Sequence, residues 1–325
     1  MPERTSAYRK LLIGAASAIV VLVVVVLVAP LLIPSDVIAA QIAALVRQKT
    51  GRDLRIAGPI SFSLLPRPTL VAHDVTMSNP PGDFTANFLE VQTVDMSLRS
   101  RALLHGAIEI DQLHLSHPIL NLEIDKDGRR NWIFHLPKAE PSTAPAAPRR
   151  APPSFATGNA QLADGEVNYS HDHAGEKQSV SNVTMTLSLP GLDRPLTANG
   201  TATYRGEPVR LSLSLASPGE LRDGRASAAT MALSSARGSF DFRGSINRGA
   251  NPSVNGTISA NVLSLRELLS WTNIKIGPDD KGLGAFALNG HIEHTGPQTL
   301  LSNATVSLDD VPAKGTFRLT HAEKR

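Results

Sequence analysis

The sequence predicts a mainly β protein: an N-terminal transmembrane helix and a short amphipathic helix, followed by a long antiparallel curved sheet that forms an open groove. Three observations carry this reading. Residues 11–35 contain no charge. Beyond residue 54 apolar and polar residues alternate with the period of two that marks strands. Strand-like runs recur about every 10–15 residues with Gly, Pro, Asn or Asp between them, and no helix-length segments alternate with them, which disfavours a parallel βαβ fold.

Residues 11–33 are almost entirely Leu, Ile, Val and Ala. A helix needs about 20 such residues to cross about 30 Å of hydrocarbon. Arg4, Arg9 and Lys10 precede the run and Asp36 is the first charge after it. The positive-inside rule therefore leaves residues 1–10 as a cytoplasmic stub and carries the rest across the membrane. The run is too long for a cleaved signal, and Val28-Ala29-Pro30 is a poor cleavage site. No second run of this length follows, so a single pass is expected.

Ser35 and Asp36 are good helix caps, and Val37, Ile38, Ile42, Leu45 and Val46 recur at helical spacing before Thr50-Gly51 ends the pattern. This short helix reads either as a cap on the first strands or as a helix lying at the membrane surface.

The period then changes. Leu54, Ile56, Ile60, Phe62 and Leu64 follow a strand pattern, with Gly58-Pro59 as a bend. Further strands are expected over residues 70–77, 88–98, 107–115 and 119–124, with a helical turn at 100–104. Within 88–98, Phe88, Glu90, Gln92, Val94, Met96 and Leu98 fall on one side and Leu89, Val91 and Thr93 on the other. Asp125-Lys126-Asp127-Gly128 is turn chemistry, and residues 131–134 read as a closing strand. Residues 137–153 hold six prolines among Ala, Ser and Thr. Such a stretch cannot donate a regular ladder and reads as a linker. It divides a first unit, residues 35–136 with the helix, from a second, residues 154–325.

In the second unit Val183, Met185, Leu187 and Leu189 alternate with polar residues, as do Val209, Leu211, Leu213 and Leu215. Similar runs cover 226–233, 239–246, 253–262, 283–292, 300–308 and 314–319. One helical interruption is expected at 264–271, capped by Ser264. One apolar and one Ser/Thr/Arg face suit an antiparallel meander.

Composition excludes several classes. The chain has no cysteine, so disulfides, Cys-based zinc sites and thiol catalysis are out. A net charge of +3 gives no field for nucleic acid. No GxSxG, P-loop, GxGxxG or HExxH pattern occurs. His171-x-His173 sits in a polar turn without a third ligand, and His291-x-x-His294 is weaker. Asp125, Asp127 and Gly128 echo a calcium loop, but Trp132 and Ile133 stand where ligands are needed. Glu123, between Leu122 and Ile124, reads equally as a buried acid or a strand-edge residue. No enzyme activity, metal or cofactor is expected.

One pattern is more specific. Thr50-Gly51-Arg52, Ile56-Ala57-Gly58, Ser61-Phe62-Ser63-Leu64-Leu65-Pro66, Asp74-Val75, Ser78-Asn79-Pro80, Leu103-Leu104-His105-Gly106, His117-Pro118, Leu122-Glu123 and Asp127-Gly128-Arg129-Arg130-Asn131-Trp132 follow in order. Gly165, Val167, Tyr169, Pro195-Leu196, Gly200, Leu268 and Trp271 continue it. Over these residues the chain resembles the AsmA family of bacterial inner-membrane-anchored envelope proteins. The resemblance implies kinship with chorein-type, bridge-like lipid transfer proteins. In these, acyl chains slide along the apolar concave face of a bent sheet while headgroups face water. It implies a single-pass inner-membrane protein with its bulk in the periplasm, working in outer-membrane assembly. Membrane phospholipid is the implied partner, and other envelope proteins or further copies of the chain are left open. Relatives run longer; roughly 14 to 17 strands at about 4.8 Å would span on the order of 70–80 Å.

On the groove reading the lipid-binding face is Leu54, Ile56 and Phe62 near the membrane, then Val183, Met185, Leu187, Val209, Leu211 and Leu213. The alternative is a non-catalytic interaction module in which these side chains fill a closed β core. The two differ in whether a second sheet covers the apolar face. A hydrolase would need a clustered nucleophile, acid or base that the sequence does not display.

Overall fold

The structure, a computed structural model, describes residues 35–134 and 158–320, apart from 83, 105–108, 173–174, 250, 275–276 and 278–281. The expected cytoplasmic stub, the transmembrane helix over residues 11–33 and the linker over 137–153 lie outside the described residues. So does His173. Among the described residues no helix is long and apolar enough to cross a membrane.

Helix α1 (Ser35–Thr50) comes first. Ile42, Ala43 and Val46 are partly covered where it packs beside the first two strands, while Leu45 faces out. The helix stops because Gly51 takes the left-handed conformation, φ +72°, and its N–H donates to the Arg47 carbonyl at 2.8 Å.

The 15 described strands after it form one sheet. Strands β1 (Leu54–Ile56) and β2 (Ile60–Ser63) both pair with β3 (Thr69–Ser78), which pairs with β4 (Asn87–Leu98) and that with β5 (Ile110–Ile124). A short helix α2 (Ser100–Leu104) links β4 to β5. Then come β6 (Asn159–His171), β7 (Glu176–Ser188), β8 (Leu196–Tyr204), β9 (Glu207–Leu215), β10 (Ser227–Ser235), β11 (Gly238–Asn247) and β12 (Ser253–Val262). The last three are β13 (Phe286–Thr295), β14 (Gln298–Leu308) and β15 (Val311–Thr320). Helices α3 (Pro218–Arg222) and α4 (Leu265–Trp271) sit in the β9–β10 and β12–β13 connections. From β3 onward strands neighbour each other in sequence order, and the first and last do not pair. Fourteen strands abreast at about 4.8 Å give a sheet about 60 Å long. We call "upper" the rim where β5 and β6 end and β7 and β9 begin.

Turn chemistry sets the register. Arg205 and Gly206, φ +48° and +81°, make the two-residue hairpin between β8 and β9. Asp309 and Asp310, φ +50° and +64°, do the same between β14 and β15. Two consecutive left-handed residues match the twist of paired strands.

Three expectations change. The meander is not wholly antiparallel: β5 and β6 run parallel, Leu113 beside Ala160 and Leu120 beside Val167. A parallel neighbour needs a long crossover, and the segment between Ile124 and Asn159 supplies it. Both sequence units thus share one sheet. Residues 131–134 are not a strand. The chain turns back after Ile124, whose bridge is to Arg130, and Asn131 is drawn into polar contacts instead. Finally, β4 does not keep one alternation. Leu89 and Val91 share the apolar cluster with Val94.

The flip in β4 belongs to a crease across the sheet. Asp74 in β3, His117 in β5, Asp164 in β6 and Asn182 in β7 all have φ between +49° and +53°. They stand level with one another and with Gly58, whose N–H donates to the His73 carbonyl at 3.1 Å. Asp, Asn and His are the non-glycine residues that best tolerate this conformation. At the crease the pleat shifts by one residue, so Ala72 and Val75, like Val94 and Val91, return to the same face. Pro118 therefore sits inside one continuous β5 rather than between two strands.

Candidate functional site

The lateral register identifies the two faces without ambiguity, because cross-strand partners point the same way. One row runs Phe62, Leu70, Met96, Leu113, Ala160, Leu187, Ala198, Leu213, Met231, Phe242 and Ile258 from β2 to β12. The next row runs Met185, Gly200, Leu211, Leu233, Phe240, Ala260, Leu288, Val306 and Ala313 from β7 to β15. On the opposite face the corresponding row is Thr186, Asn199, Ser212, Ala232, Asp241, Ser259, Asn289, Thr305 and Lys314.

All nine residues picked from the alternation lie on the apolar face. Leu54 and Ile56 pair with Met77 and Val75, and Phe62 with Leu70. Val183, Met185 and Leu187 face Gly165, Leu162 and Ala160. Val209, Leu211 and Leu213 face Ala202, Gly200 and Ala198. Sequence alternation could not say which face was inside; the continuity of the apolar rows does.

This face is not the inside of a sandwich. Among the described residues there is one sheet, and its strands pack chiefly against their hydrogen-bonded neighbours. Leu233 remains 41% and Phe317 46% exposed. Yet the apolar side is the more sheltered of the two: in β9, Val209, Leu211 and Leu213 are half-buried while Pro208, Arg210 and Ser212 are exposed. With no second layer present, shelter on one side is what a bent sheet gives its concave face.

Glycines mark where neighbouring strands approach each other most closely on this face. Gly244 and Gly256 are cross-strand partners on the apolar face. A Cβ at Gly244 would run into the Asn255 carbonyl oxygen and the Gly256 Cα, and one at Gly200 would come within 2.5 Å of the Thr184 carbonyl. Only a bare backbone fits where neighbouring strands close in on the concave side.

The upper rim at the start of the sheet carries a polar knot. Asn131 is fully buried, and its side-chain amide donates to the Asn121 carbonyl at 2.7 Å and to Asn79 Oδ1 at 2.9 Å. Its Oδ1 accepts the Glu123 N–H at 2.9 Å. Arg52, 3% exposed, donates through Nη2 to the Asn131 carbonyl, with its guanidinium 4.4 Å from the Phe88 ring centre and 4.2 Å from that of Phe134. Burial pulls the Arg52 pKa below its ordinary value. Glu123 accepts from the Thr85 N–H at 2.8 Å and from the Thr85 hydroxyl.

Asp125 caps the following turn. Its Oδ1 accepts the N–H groups of Asp127 and Arg129, and its Oδ2 lies 2.6 Å from Arg129 Nε. Burial works to raise its pKa, but the backbone N–H and guanidinium of Arg129 outweigh it and hold the carboxyl below the ordinary range. The calcium-like spacing is therefore a carboxylate engaged by its own turn. Among the described residues no three His, Asp or Glu side chains form a metal-binding group. His291 lies 3.5 Å from Glu293, and His294 pairs with Thr299 at 2.9 Å.

A second rim cluster was not legible in the sequence. Tyr204, Glu207, Arg237, Glu267 and Trp271 come from four separate elements and meet at the upper ends of β8 to β11. Only Trp271 had been singled out, and only through the resemblance.

Comparison with protein families gives one match, to the model described as the AsmA family, over residues 6–200. Comparison with curated proteins and with solved structures gives no match.

Proposed function

Because the chain belongs to the AsmA family, we propose that it is a single-pass inner-membrane protein of the bacterial envelope whose periplasmic sheet binds phospholipid and passes it along the groove. The observation that carries this is the uncovered apolar face, continuous from Phe62 to Ala313 through every intervening strand. Acyl chains laid along it replace water against Leu, Val, Met and Phe side chains, at about 25 cal/mol per Å² of apolar surface covered. The Ser/Thr/Asn face and both rims stay in water. No catalytic step is proposed. The polar knot then closes the membrane-proximal start of the sheet, holding α1, β1 and the crossover in register.

The test is direct. The full chain, purified in detergent and extracted with organic solvent, is expected to yield phospholipid by mass spectrometry and to take up a fluorescent-tailed phospholipid. A wild-type protein that is folded yet carries and accepts none would end this reading.

A further inference from the structure

Helix α4 leaves the sheet between β12 and β13 but reaches back over four strands. The Trp271 ring packs edge-on against Tyr204 of β8, with centres 5.1 Å apart and planes at 75°. Arg237, in the β10–β11 hairpin, donates to Glu267 of α4 at 3.2 Å and to Glu207 of β9 at 2.5 Å. Its guanidinium lies 5.8 Å from the Trp271 ring centre. Tyr204 and Glu207 are cross-strand partners on the apolar side, in line with Ala202 and Val209. The helix therefore crosses the upper mouth of the groove above the ends of β9 to β11.

Its hold is slight. None of its seven residues is fully buried. At its start Leu265 and Arg266 donate to the Gly284 and Leu283 carbonyls at 2.7 and 2.8 Å, so that end is tied to the segment that leads into β13. Glu267, in the first turn, is held by Arg237, and the far end is held by the Trp271 contact with Tyr204. The packing around it is polar and incomplete: Glu207 Oε2, Arg237 Nε and Trp271 Nε1 are buried with no hydrogen-bond partner among the described residues. A small element with no fully buried residue belongs to the low-stability end of a structure.

We propose that α4 is a strap across the upper rim, pinned by Trp271 on Tyr204 and by Arg237 on Glu267, which lifts to admit acyl chains sideways into the groove at β8 to β11. This rests on the lipid-groove reading and adds a place of entry to it. Stopped-flow uptake of a fluorescent-tailed phosphatidylethanolamine by the full chain in detergent tests it. Trp271→Ala and Arg237→Ala are each expected to load about two- to fivefold faster, the effect of losing one partly exposed pinning contact, with unchanged final occupancy and unchanged circular dichroism. Should either variant unfold, Trp132→Phe leaves Trp271 as the only tryptophan. Its emission is then expected to shift and to be quenched by a phospholipid brominated along its acyl chain. Equal loading rates in folded variants, or a Trp271 emission indifferent to brominated lipid that the wild type does load, overturns the strap alone. A wild type that loads nothing overturns the groove and the strap together.

Discussion

Arg52 and Asn131, 79 residues apart, are joined by a hydrogen bond from the guanidinium to the Asn131 backbone carbonyl, buried beneath two phenylalanine rings. This contact ties the exit of α1 to the crossover that follows β5. Several of the residues that give the sequence its family resemblance lie here, among them Arg52, Asn79, Glu123 and Asn131. Their chemistry is that of a fastening.

Asn131→Ala removes three side-chain hydrogen bonds and leaves the Glu123 N–H and Asn121 carbonyl without partners in a site that water does not reach. The expected loss is about 2–4 kcal/mol of unfolding free energy, read from the urea midpoint. An unchanged midpoint would show that the knot contributes nothing to stability.

Glycine at the bend is testable by contrast. Gly256→Val places a branched side chain against the Arg243 carbonyl and the Gly244 Cα. It is expected to cost about 3 kcal/mol or to prevent folding, since backbone cannot move aside. Gly315→Ala, on the same face but with nothing within 4 Å of its Cβ, is expected to stay within about 0.5 kcal/mol of wild type. Thermal denaturation of the two side by side gives the comparison.

A charge on the groove floor should stop lipid without unfolding the sheet. Leu211→Asp is expected to reduce phospholipid uptake by roughly tenfold or more, because a carboxylate is costly to bury under an acyl chain. Ser212→Asp, one residue along and on the opposite face, is expected to leave uptake unchanged. If Leu211→Asp unfolds instead, the side chain belongs to a packed core and the groove reading loses its footing.

Acid should loosen the Asp125 turn late. A carboxyl held below its ordinary pKa in the folded state contributes stability that is complete above the unfolded value and disappears as pH falls through the folded one. Following the Asp127 and Arg129 amide resonances down in pH should show a midpoint below that of an unstructured peptide of the same residues. A midpoint at or above the peptide's would contradict the bonding to Arg129.

Much of this architecture could be read from the chain. Alternation alone located β9 at Val209 to Leu215 and β12 at its full extent, and Ser264 is the cap it was expected to be, accepting the Glu267 N–H at 3.3 Å. It failed where the period was interrupted. Asp74, His117, Asp164 and Asn182 are left-handed residues along a crease that also crosses β4 at Gln92, where Leu89 and Val91 join Val94 in one cluster, so a strict count of two assigns half of β4 to the wrong face. Strand β6 escaped notice because Gly165 and Asp164 break its pattern mid-strand. The parallel junction could not be read because it depends on the path of a long crossover, which carries no period. The Tyr204–Trp271 contact joins residues 67 positions apart and has no local signal.

The two margins of the sheet are unlike. At one, α1 lies beside β1 and β2. At the other, every residue of β15 is exposed, and among the described residues no strand pairs with its outer side. Amides and carbonyls free to bond an incoming extended segment are thus presented on the β15 flank, so an added strand would extend the sheet there and leave the margin beside α1 untouched.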